Sequence, residues 1–98
     1  MSKIPCPEVA VSLDISAIRA ALLAIEHGSF RRVAAATGMP QPTGSRLVAR
    51  LEDQVGVSLF ERGPGGVRTT EAGRQFLHRA ARAMRELDRA HGAAALAG

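Results

Sequence analysis

Residues Ser29 to Glu52 read SFRRVAAATGMPQPTGSRLVARLE, and this stretch decides the fold. Ser29 is typical of a helix N-cap, and Gly38 can end the helix that follows because glycine adopts the left-handed conformation without steric cost. Pro40 and Pro42 prevent that helix from continuing and suit the first turn of a new one. The stretch therefore predicts two short helices joined by a tight turn.

The second of these helices is predicted to have one apolar and one basic face. The apolar residues recur at helical spacing and so share one face, and Arg46 and Arg50 project from the opposite face. Two helices joined by a glycine-containing turn, the second basic on its outward side, are typical of a helix-turn-helix. The apolar face consists of Gly44, Val48, Leu51 and Val55.

An amphipathic helix is predicted on the amino-terminal side of this unit. Asp14 offers an N-cap and Gly28 ends the apolar period. Residues 1–13 have no clear period and are predicted to form a flexible arm, or one extended segment around residues 9–13. The expected buried stripe of the helix consists of Ile15, Ile18, Leu22 and Ile25.

A hairpin and a long helix are predicted on the carboxyl-terminal side. Residues 57–62 alternate as a short strand, residues 63–66 (GPGG) form a four-residue turn, and residues 67–69 return as a second strand. Such a hairpin after a helix-turn-helix is called a wing. Thr70 is typical of an N-cap, and a helix over residues 71–91 would be about 31 Å long.

The far half of this last helix has little of a 98-residue chain to pack on. Its apolar residues step by four and three, as in a coiled-coil seam, so we expect a homodimer through this helix. The alternative is a helix that lies wholly on its own domain. Residues 92–98 are rich in Ala and Gly and are expected to form a flexible tail. The predicted dimer interface consists of Phe76, Ala80, Ala83, Met84, Leu87 and Ala90.

The composition is that of one small basic domain. It has 13 Lys and Arg against 9 Asp and Glu, and its pI is near 11.0. Arg favours bidentate contacts with phosphate and guanine, so a polyanion is the expected partner, although a merely soluble basic protein would have the same charge. No stretch approaches the roughly 20 apolar residues of a membrane span, and no export signal is evident. We therefore expect a cytoplasmic protein that makes no contact with membranes.

Enzymatic activity is not expected. His27, His78 and His91 are far apart in sequence and have no nucleophile or carboxylate at a telling spacing. The only cysteine, Cys6, cannot form an intramolecular disulfide or a multi-cysteine metal site. The glycine-rich residues 63–66 lack the Lys-Ser/Thr of a phosphate-binding loop. The sequence thus predicts no catalytic residue, cofactor or metal.

Short motifs follow one another along the chain in a characteristic order and spacing. They are Gly28-Ser29-Phe30, Ala34-Ala35, Gln41-Pro42, Ser45-Arg46, Leu51-Glu52, Gly56-Val57, Leu59-Phe60-Glu61-Arg62 and Thr70-Glu71-Ala72-Gly73. Together they resemble the N-terminal winged helix-turn-helix of LysR-type bacterial transcriptional regulators. The resemblance implies a mainly α fold with a three-helix core and a two-stranded β wing over residues 14–70. It also implies a linker and dimerisation helix over residues 71–91.

The resemblance further implies sequence-specific binding of double-stranded DNA by a dimer, in the bacterial cytoplasm at the nucleoid. Helix 41–55 would enter the major groove at each half of an inverted-repeat promoter site. Gln41 can pair with adenine, Arg46 with guanine, and Thr43 can offer its methyl group to thymine. The implied base contacts are Gln41, Pro42, Thr43, Ser45 and Arg46. The implied backbone contacts are Ser29, Arg31, Arg32, Arg50, Arg62 and Arg68.

Three residues depart from the family pattern. Pro40 stands where the family often has Ser, Gly44 replaces a branched apolar residue, and Gly65 replaces the Arg or Lys that commonly reaches the minor groove. These departures suit an alternative function. The chain would then be a DNA-binding-deficient or relaxed-specificity module that heterodimerises with a full-length regulator through helix 71–91. Another winged-helix class, such as the molybdate-responsive regulators, is a second alternative.

Members of the family usually have a larger C-terminal domain that binds a small effector. The present sequence supplies no such effector domain after Gly98, so we expect either the DNA-binding half of a regulator or a short protein. The sequence does not indicate the operator, the regulated genes, or whether transcription is activated or repressed.

Overall fold

The computed structural model describes residues 13–97, and it has the predicted three-helix core, two-stranded wing and long last helix. Residues 1–12 of the predicted arm lie outside the described residues, as does Gly98. The elements in order are α1 (Ile15–His27), α2 (Phe30–Thr37), α3 (Gln41–Val55), β1 (Phe60–Gly63), β2 (Gly66–Thr69) and α4 (Glu71–Ala97).

Helix α1 is central, since it packs against α2, α3 and α4. Its ends are as predicted: the Asp14 carboxylate accepts a hydrogen bond from the backbone N–H of Ser16 at 2.9 Å, and Gly28 ends the helix with a φ of 84°. These caps satisfy backbone groups that a helix cannot pair internally.

The predicted buried stripe of α1 is wrong in part. Ile18 is buried, but Ile15 and Ile25 are 47% and 45% exposed and Leu22 is half-buried. Because α1 has neighbours on more than one side, small residues let those helices approach closely, and alanines fill most of its buried face. The buried residues of α1 are Ala17, Ile18, Ala20, Ala21 and Ala24.

The helix-turn-helix follows the sequence prediction closely. The Ser29 hydroxyl accepts a hydrogen bond from the backbone N–H of Arg32 at 3.1 Å, and Gly38 ends α2 with a φ of 80°. Pro40 is the N-cap of α3 and supplies no side-chain hydrogen bond there. Helix α3 buries Gly44, Val48 and Leu51 against the core, whereas Val55 is only half-buried.

The wing is shorter than the sequence predicts. The first strand begins at Phe60, not at Val57, because backbone groups before Phe60 bond to side chains outside the hairpin. Gly63 pairs with Gly66, so the turn comprises Pro64 and Gly65 only. The predicted four-residue turn is therefore wrong by one residue at each end.

Helix α4 begins as predicted and ends later. The Thr70 hydroxyl accepts a hydrogen bond from the backbone N–H of Gly73 at 2.9 Å. Arg74 donates to the Glu71 carboxylate, and this bond is the main cause that lowers the pKa of Glu71 below its ordinary value. The helix continues to Ala97, so the predicted end near His91 is wrong: Gly92 costs helix stability but does not break the helix.

The core lies where α1, α3, α4 and β1 meet. It is aliphatic and rich in alanine, and Phe30 and Phe60 are its aromatic members, with ring centroids 6.4 Å apart in an edge-to-face arrangement. The largest fully buried side chains are Leu51, Leu59, Leu77, Val33 and Val48. This core fixes the orientation of α3 relative to the wing.

Candidate nucleic-acid interface

The amino-terminal turns of α3 present the residues predicted to contact DNA bases. Gln41, Pro42, Thr43 and Arg46 are exposed, and Ser45 is half-buried. The apolar face of α3 is buried against the core on the opposite side, which fixes the direction in which these residues project. They lie on the solvent-facing part of the first turns of the helix.

An open groove brings residues from three elements together. The start of α2 contributes Ser29, Arg31 and Arg32, α3 contributes Gln41, and the wing contributes Arg62. The groove has a volume of about 420 Å³ and is bounded on the wing side by residues 63–67. Four of the predicted backbone-contact residues therefore share one surface with the start of α3.

Within the described residues, the arginines of this surface have no acidic partner. Neither Arg31 nor Arg46 forms an ion pair within residues 13–97. Arg32 is exposed and one guanidinium nitrogen lies 3.5 Å from the carbonyl oxygen of His27. The hydroxyl hydrogen of Ser29 is not used in the N-cap bond, in which its oxygen is the acceptor. These groups are available to an anion in the groove.

Two other predicted backbone contacts lie elsewhere. Arg50 forms an ion pair with Asp14 at 3.5 Å, which directs it toward the start of α1. Arg68 pairs in register with Glu61, whereas Arg62 pairs with Val67, so Arg68 lies on the opposite face of the wing from Arg62. The structure does not bring Arg50 or Arg68 to the groove.

Arg62 links the wing to α3. Its Nη1 donates a hydrogen bond to the Ser45 Oγ at 2.8 Å, and its guanidinium carbon lies 5.0 Å from the centroid of the Phe30 ring. These contacts hold the guanidinium against Phe30, which lines the groove, and against Ser45 of α3. The family resemblance implied that Arg62 contacts the DNA backbone, and the sequence did not indicate its contacts with Ser45 and Phe30.

Glu52 has a positioning role that the sequence did not reveal. Its Oε2 accepts hydrogen bonds from the backbone N–H groups of Leu59 at 2.8 Å and Phe60 at 3.1 Å. The side chain thereby fastens the start of β1 to the end of α3. The sequence shows only a Leu51-Glu52 pair, which does not indicate the groups that the Glu52 carboxylate contacts.

A second attachment joins the wing to the end of α1. The backbone N–H of Val67 donates to the carbonyl oxygen of Gly28 at 3.0 Å. Gly66 has a φ of 124°, and a Cβ at this position would overlap the same carbonyl oxygen. Together with Glu52, this contact fixes the position of the wing relative to α1 and α3.

Replacing Glu52 with alanine is expected to lower the free energy of unfolding by about 1.5–3 kcal/mol, because two half-buried N–H groups lose a charged acceptor. Urea denaturation followed by circular dichroism measures this change. Asp53→Ala is the matched control, since Asp53 is the exposed neighbour and its loss should change stability by less than about 0.5 kcal/mol. Equal effects of the two variants would contradict the anchoring role.

The predicted dimer interface requires a correction. Ala80 and Met84 are 9% and 6% exposed and belong to the core of their own chain, because α4 packs against α1 along this side. Phe76 is half-buried and packs against that core. Ala83, Leu87 and Ala90 are exposed, so they are the part of the predicted interface that a second chain can reach.

Other classes of site are not evident in the described residues. No group of three or more His, Cys, Asp or Glu side chains within residues 13–97 could hold a metal ion. Among the helices that the structure describes, none combines the length and apolar character needed to cross a membrane. The groove between α2, α3 and the wing remains the candidate functional site.

The chain matches one protein family over most of this fold. Residues 15–74 match the family described as bacterial regulatory helix-turn-helix protein, lysR family. The chain is 38% identical over 76 residues to an uncharacterised HTH-type transcriptional regulator in the ibpB-leuC intergenic region of Azotobacter vinelandii. It is 39% identical over 71 residues to the SDS degradation transcriptional activation protein of a Pseudomonas species.

The alignments cover unequal shares of the proteins. The alignment with the Azotobacter relative covers 78% of this chain and 53% of that protein. The alignment with the Pseudomonas protein covers 72% of this chain and 23% of that protein. The chain therefore spans about half of the length of one relative and about a quarter of the other.

Solved structures of similar fold include a protein bound to DNA. The DNA-binding domain of BenM in complex with benA site 1 DNA aligns with a TM-score of 0.79 at 27% identity, covering 87% of this chain and 99% of that one. CbnR, a LysR family transcriptional regulator, aligns with a TM-score of 0.78 at 27% identity, covering 83% of this chain and 28% of that one.

Proposed function

The chain belongs to the lysR family of bacterial regulatory helix-turn-helix proteins, and on this basis we propose that it binds double-stranded DNA sequence-specifically as the DNA-binding domain of a transcriptional regulator. The resemblance found in the sequence is thereby confirmed. One observation supports the proposal most strongly. The exposed start of α3 adjoins a groove lined by arginines that have no acidic partner within residues 13–97.

In this proposal α3 lies in the major groove and reads base edges. Gln41 is placed to pair with adenine N6 and N7, and Arg46 with guanine O6 and N7. Thr43 offers a methyl group to thymine, while Pro42 and Ser45 complete the surface that faces the bases. These residues are exposed or half-buried on one side of the helix, as base reading requires.

The DNA backbone is contacted from the start of α2. Ser29, Arg31 and Arg32 line the open groove of about 420 Å³, so a hydroxyl, the first backbone amides of α2 and two cations border it. Contacts to phosphate fix the position of the protein on the duplex and contribute a salt-dependent affinity. We propose no phosphate contact for Arg50 or Arg68, because both lie away from this groove.

Fluorescence-anisotropy titration tests this function. The DNA that flanks the gene is compared with a scrambled duplex of equal length at two salt concentrations. The proposal predicts a preference for the flanking DNA that persists at the higher salt. Equal and steeply salt-dependent binding to both duplexes would contradict base reading. That result would favour the alternative function, a module that pairs with a full-length regulator through α4.

We further propose that the chain acts as a homodimer through α4, in the bacterial cytoplasm at the nucleoid. Two α3 helices would then occupy the halves of an inverted repeat. Leu87 is 43% exposed and shares a face of α4 with Ala83 and Ala90. Met84 is the last buried residue of this helix, so the following turns extend beyond their own core.

Leu87→Glu is expected to weaken self-association at least about tenfold, since a half-exposed Leu buried by a partner contributes roughly 1.5 kcal/mol and each dimer contains two copies. Sedimentation equilibrium over a range of concentrations measures the change. Leu96→Glu is the control, because Leu96 is 91% exposed and lies on the other side of the helix. An unchanged association constant for the Leu87 variant would contradict this interface.

A further inference from the structure

Arg62 is exposed, and its guanidinium is held by two contacts, on a strand whose start is itself anchored to α3. It lies on β1, whose first residue Phe60 donates its backbone N–H to Glu52 at 3.1 Å. Its guanidinium stacks on the Phe30 ring and donates to the Ser45 hydroxyl at 2.8 Å. Phe30 itself is buried at the start of α2. The guanidinium therefore occupies a defined place between the wing, α2 and α3.

The bond to Ser45 has a defined direction. A guanidinium has donors only, so the Ser45 oxygen must be the acceptor in this contact. The hydroxyl hydrogen then points away from Arg62. A hydroxyl that accepts from a cation is also polarised, which makes it a stronger donor. On the exposed side of α3 such a hydroxyl favours a partner that accepts a hydrogen bond.

We propose that Arg62 is a positioning residue that acts on DNA through Ser45. It orients and polarises the Ser45 hydroxyl as a donor toward acceptor atoms in the major groove, such as guanine O6 and N7, adenine N7 or thymine O4. The exocyclic amino group of cytosine, which is a donor, is disfavoured at this position. The inference rests on the proposed function of α3 and adds a link from the wing to base reading.

This role differs from the DNA-backbone contact that the family resemblance implied for Arg62. A direct phosphate contact would depend on the charge of Arg62, would act equally on all sequences, and would contribute about one unit to the salt slope of binding. A positioning role instead changes the preference between sequences, and it requires the Ser45 hydroxyl. The two roles are therefore separable in one set of variants.

A double-mutant cycle tests the inference, with Arg62→Gln, Ser45→Ala, the double variant and the unchanged chain. Each protein is titrated by fluorescence anisotropy with the gene-flanking duplex and its scrambled counterpart at several salt concentrations. We expect Arg62→Gln to reduce the preference for the flanking duplex about fivefold or more, as loss of a charge-assisted hydrogen bond does. In the Ser45→Ala background the same change should have less than about a twofold effect. The salt slope should change by less than about half a unit.

Arg62→Lys is the conservative variant, because an ammonium group can still donate to Ser45 although it lacks the planar stacking surface. It should recover part of the lost preference. Equal effects of Arg62→Gln in both backgrounds, together with a salt slope reduced by about one unit, would overturn the positioning role in favour of a phosphate contact. Failure of Ser45→Ala to change the preference would also overturn it.

Thermal unfolding of the same four proteins without DNA separates this inference from the proposed function. We expect the Tm changes of the two single variants to be less than additive in the double variant, since both remove the same hydrogen bond. If the Tm changes are additive while the unchanged chain still prefers the flanking duplex, only the coupling between Arg62 and Ser45 is overturned. No preference in the unchanged chain would overturn the proposed function, and the role of Arg62 in base reading with it.

Discussion

Replacing Gly73 with alanine is expected to lower the free energy of unfolding by about 3 kcal/mol, the upper range for overpacking a core. Gly73 is buried in the first turns of α4. A Cβ there would overlap the carbonyl oxygen of Leu59 and lie 2.7 Å from its carbonyl carbon. Both are backbone atoms, so no side-chain rotation relieves the overlap.

The Leu59 backbone cannot easily move away. Its N–H is bonded to Glu52, and its carbonyl oxygen accepts from the backbone N–H of Thr70 at 3.0 Å. The Thr70 hydroxyl also donates to the carbonyl oxygen of Ser58 at 2.7 Å. A displacement of α4 would break the hydrogen bonds that join residues 58–59 to Thr70 at the start of this helix. The added methyl group would therefore destabilise more of the fold than its own position.

Gly92→Ala is the matched control for Gly73→Ala. Gly92 belongs to the same helix, but a Cβ there meets no atom within 4 Å. This change should stabilise the helix by about 0.5–1 kcal/mol or leave stability unchanged. Thermal unfolding at one protein concentration should show a Tm lower by about 10–20 °C for Gly73→Ala only. Similar melting temperatures for both variants would contradict the close packing of α4 on Leu59.

The double change Gln41→Ala and Arg46→Ala is expected to abolish the preference for the flanking DNA over a scrambled duplex. Each bidentate contact with a base contributes about 1–3 kcal/mol of discrimination, so loss of both should reduce the preference about 100-fold or to none. Both side chains are exposed, so the fold and the Tm should be retained. Binding to the scrambled duplex should persist through Arg31, Arg32 and the start of α2.

A control double variant removes the same residue types elsewhere. Gln54 is exposed near the end of α3, and Arg82 is exposed on α4 and forms no ion pair with any residue from 13 to 97. Gln54→Ala with Arg82→Ala should leave the preference intact. Anisotropy titrations of the two double variants measure the difference. A preference that survives loss of Gln41 and Arg46 would show that other residues read the bases.

Local signals predicted the helix-turn-helix well. Ser29, Gly38 and the two prolines determine the backbone by their own conformational limits, so their effects hold regardless of what packs nearby. The exposed positions of Gln41 and Arg46 follow from the same helical period that buries Val48 and Leu51. Such features need no knowledge of the rest of the fold.

Features that depend on distant neighbours could not be predicted in this way. Helix α1 buries alanines instead of its larger Ile15 and Ile25, because α1 has helices on more than one side. The same packing places Ala80 and Met84 in the core of their own chain, although a heptad-like spacing alone suggested a dimer interface. Periodicity identifies an apolar face but not the element that covers it.

Hydrogen bonds from side chains to groups distant in the sequence were also missed. Glu52 reaches Leu59 and Phe60, and Arg62 reaches Ser45 across 17 positions of the chain. Neither residue type indicates its partner, since exposed Glu and Arg are common on any helix or strand. These contacts connect the wing to α3 and thereby position the site. They are the part of the site that could least be predicted from the sequence.

The most direct measurement is an NMR titration of the ¹⁵N-labelled chain with the gene-flanking duplex. Binding through the proposed surface predicts that the largest amide shift changes fall in residues 29–32 and 41–46, with smaller changes at residues 63–66 of the wing. Residues 85–97 of α4, which lie beyond this groove, should change little. The largest changes along α4, or no changes in residues 41–46, would contradict DNA recognition by α3.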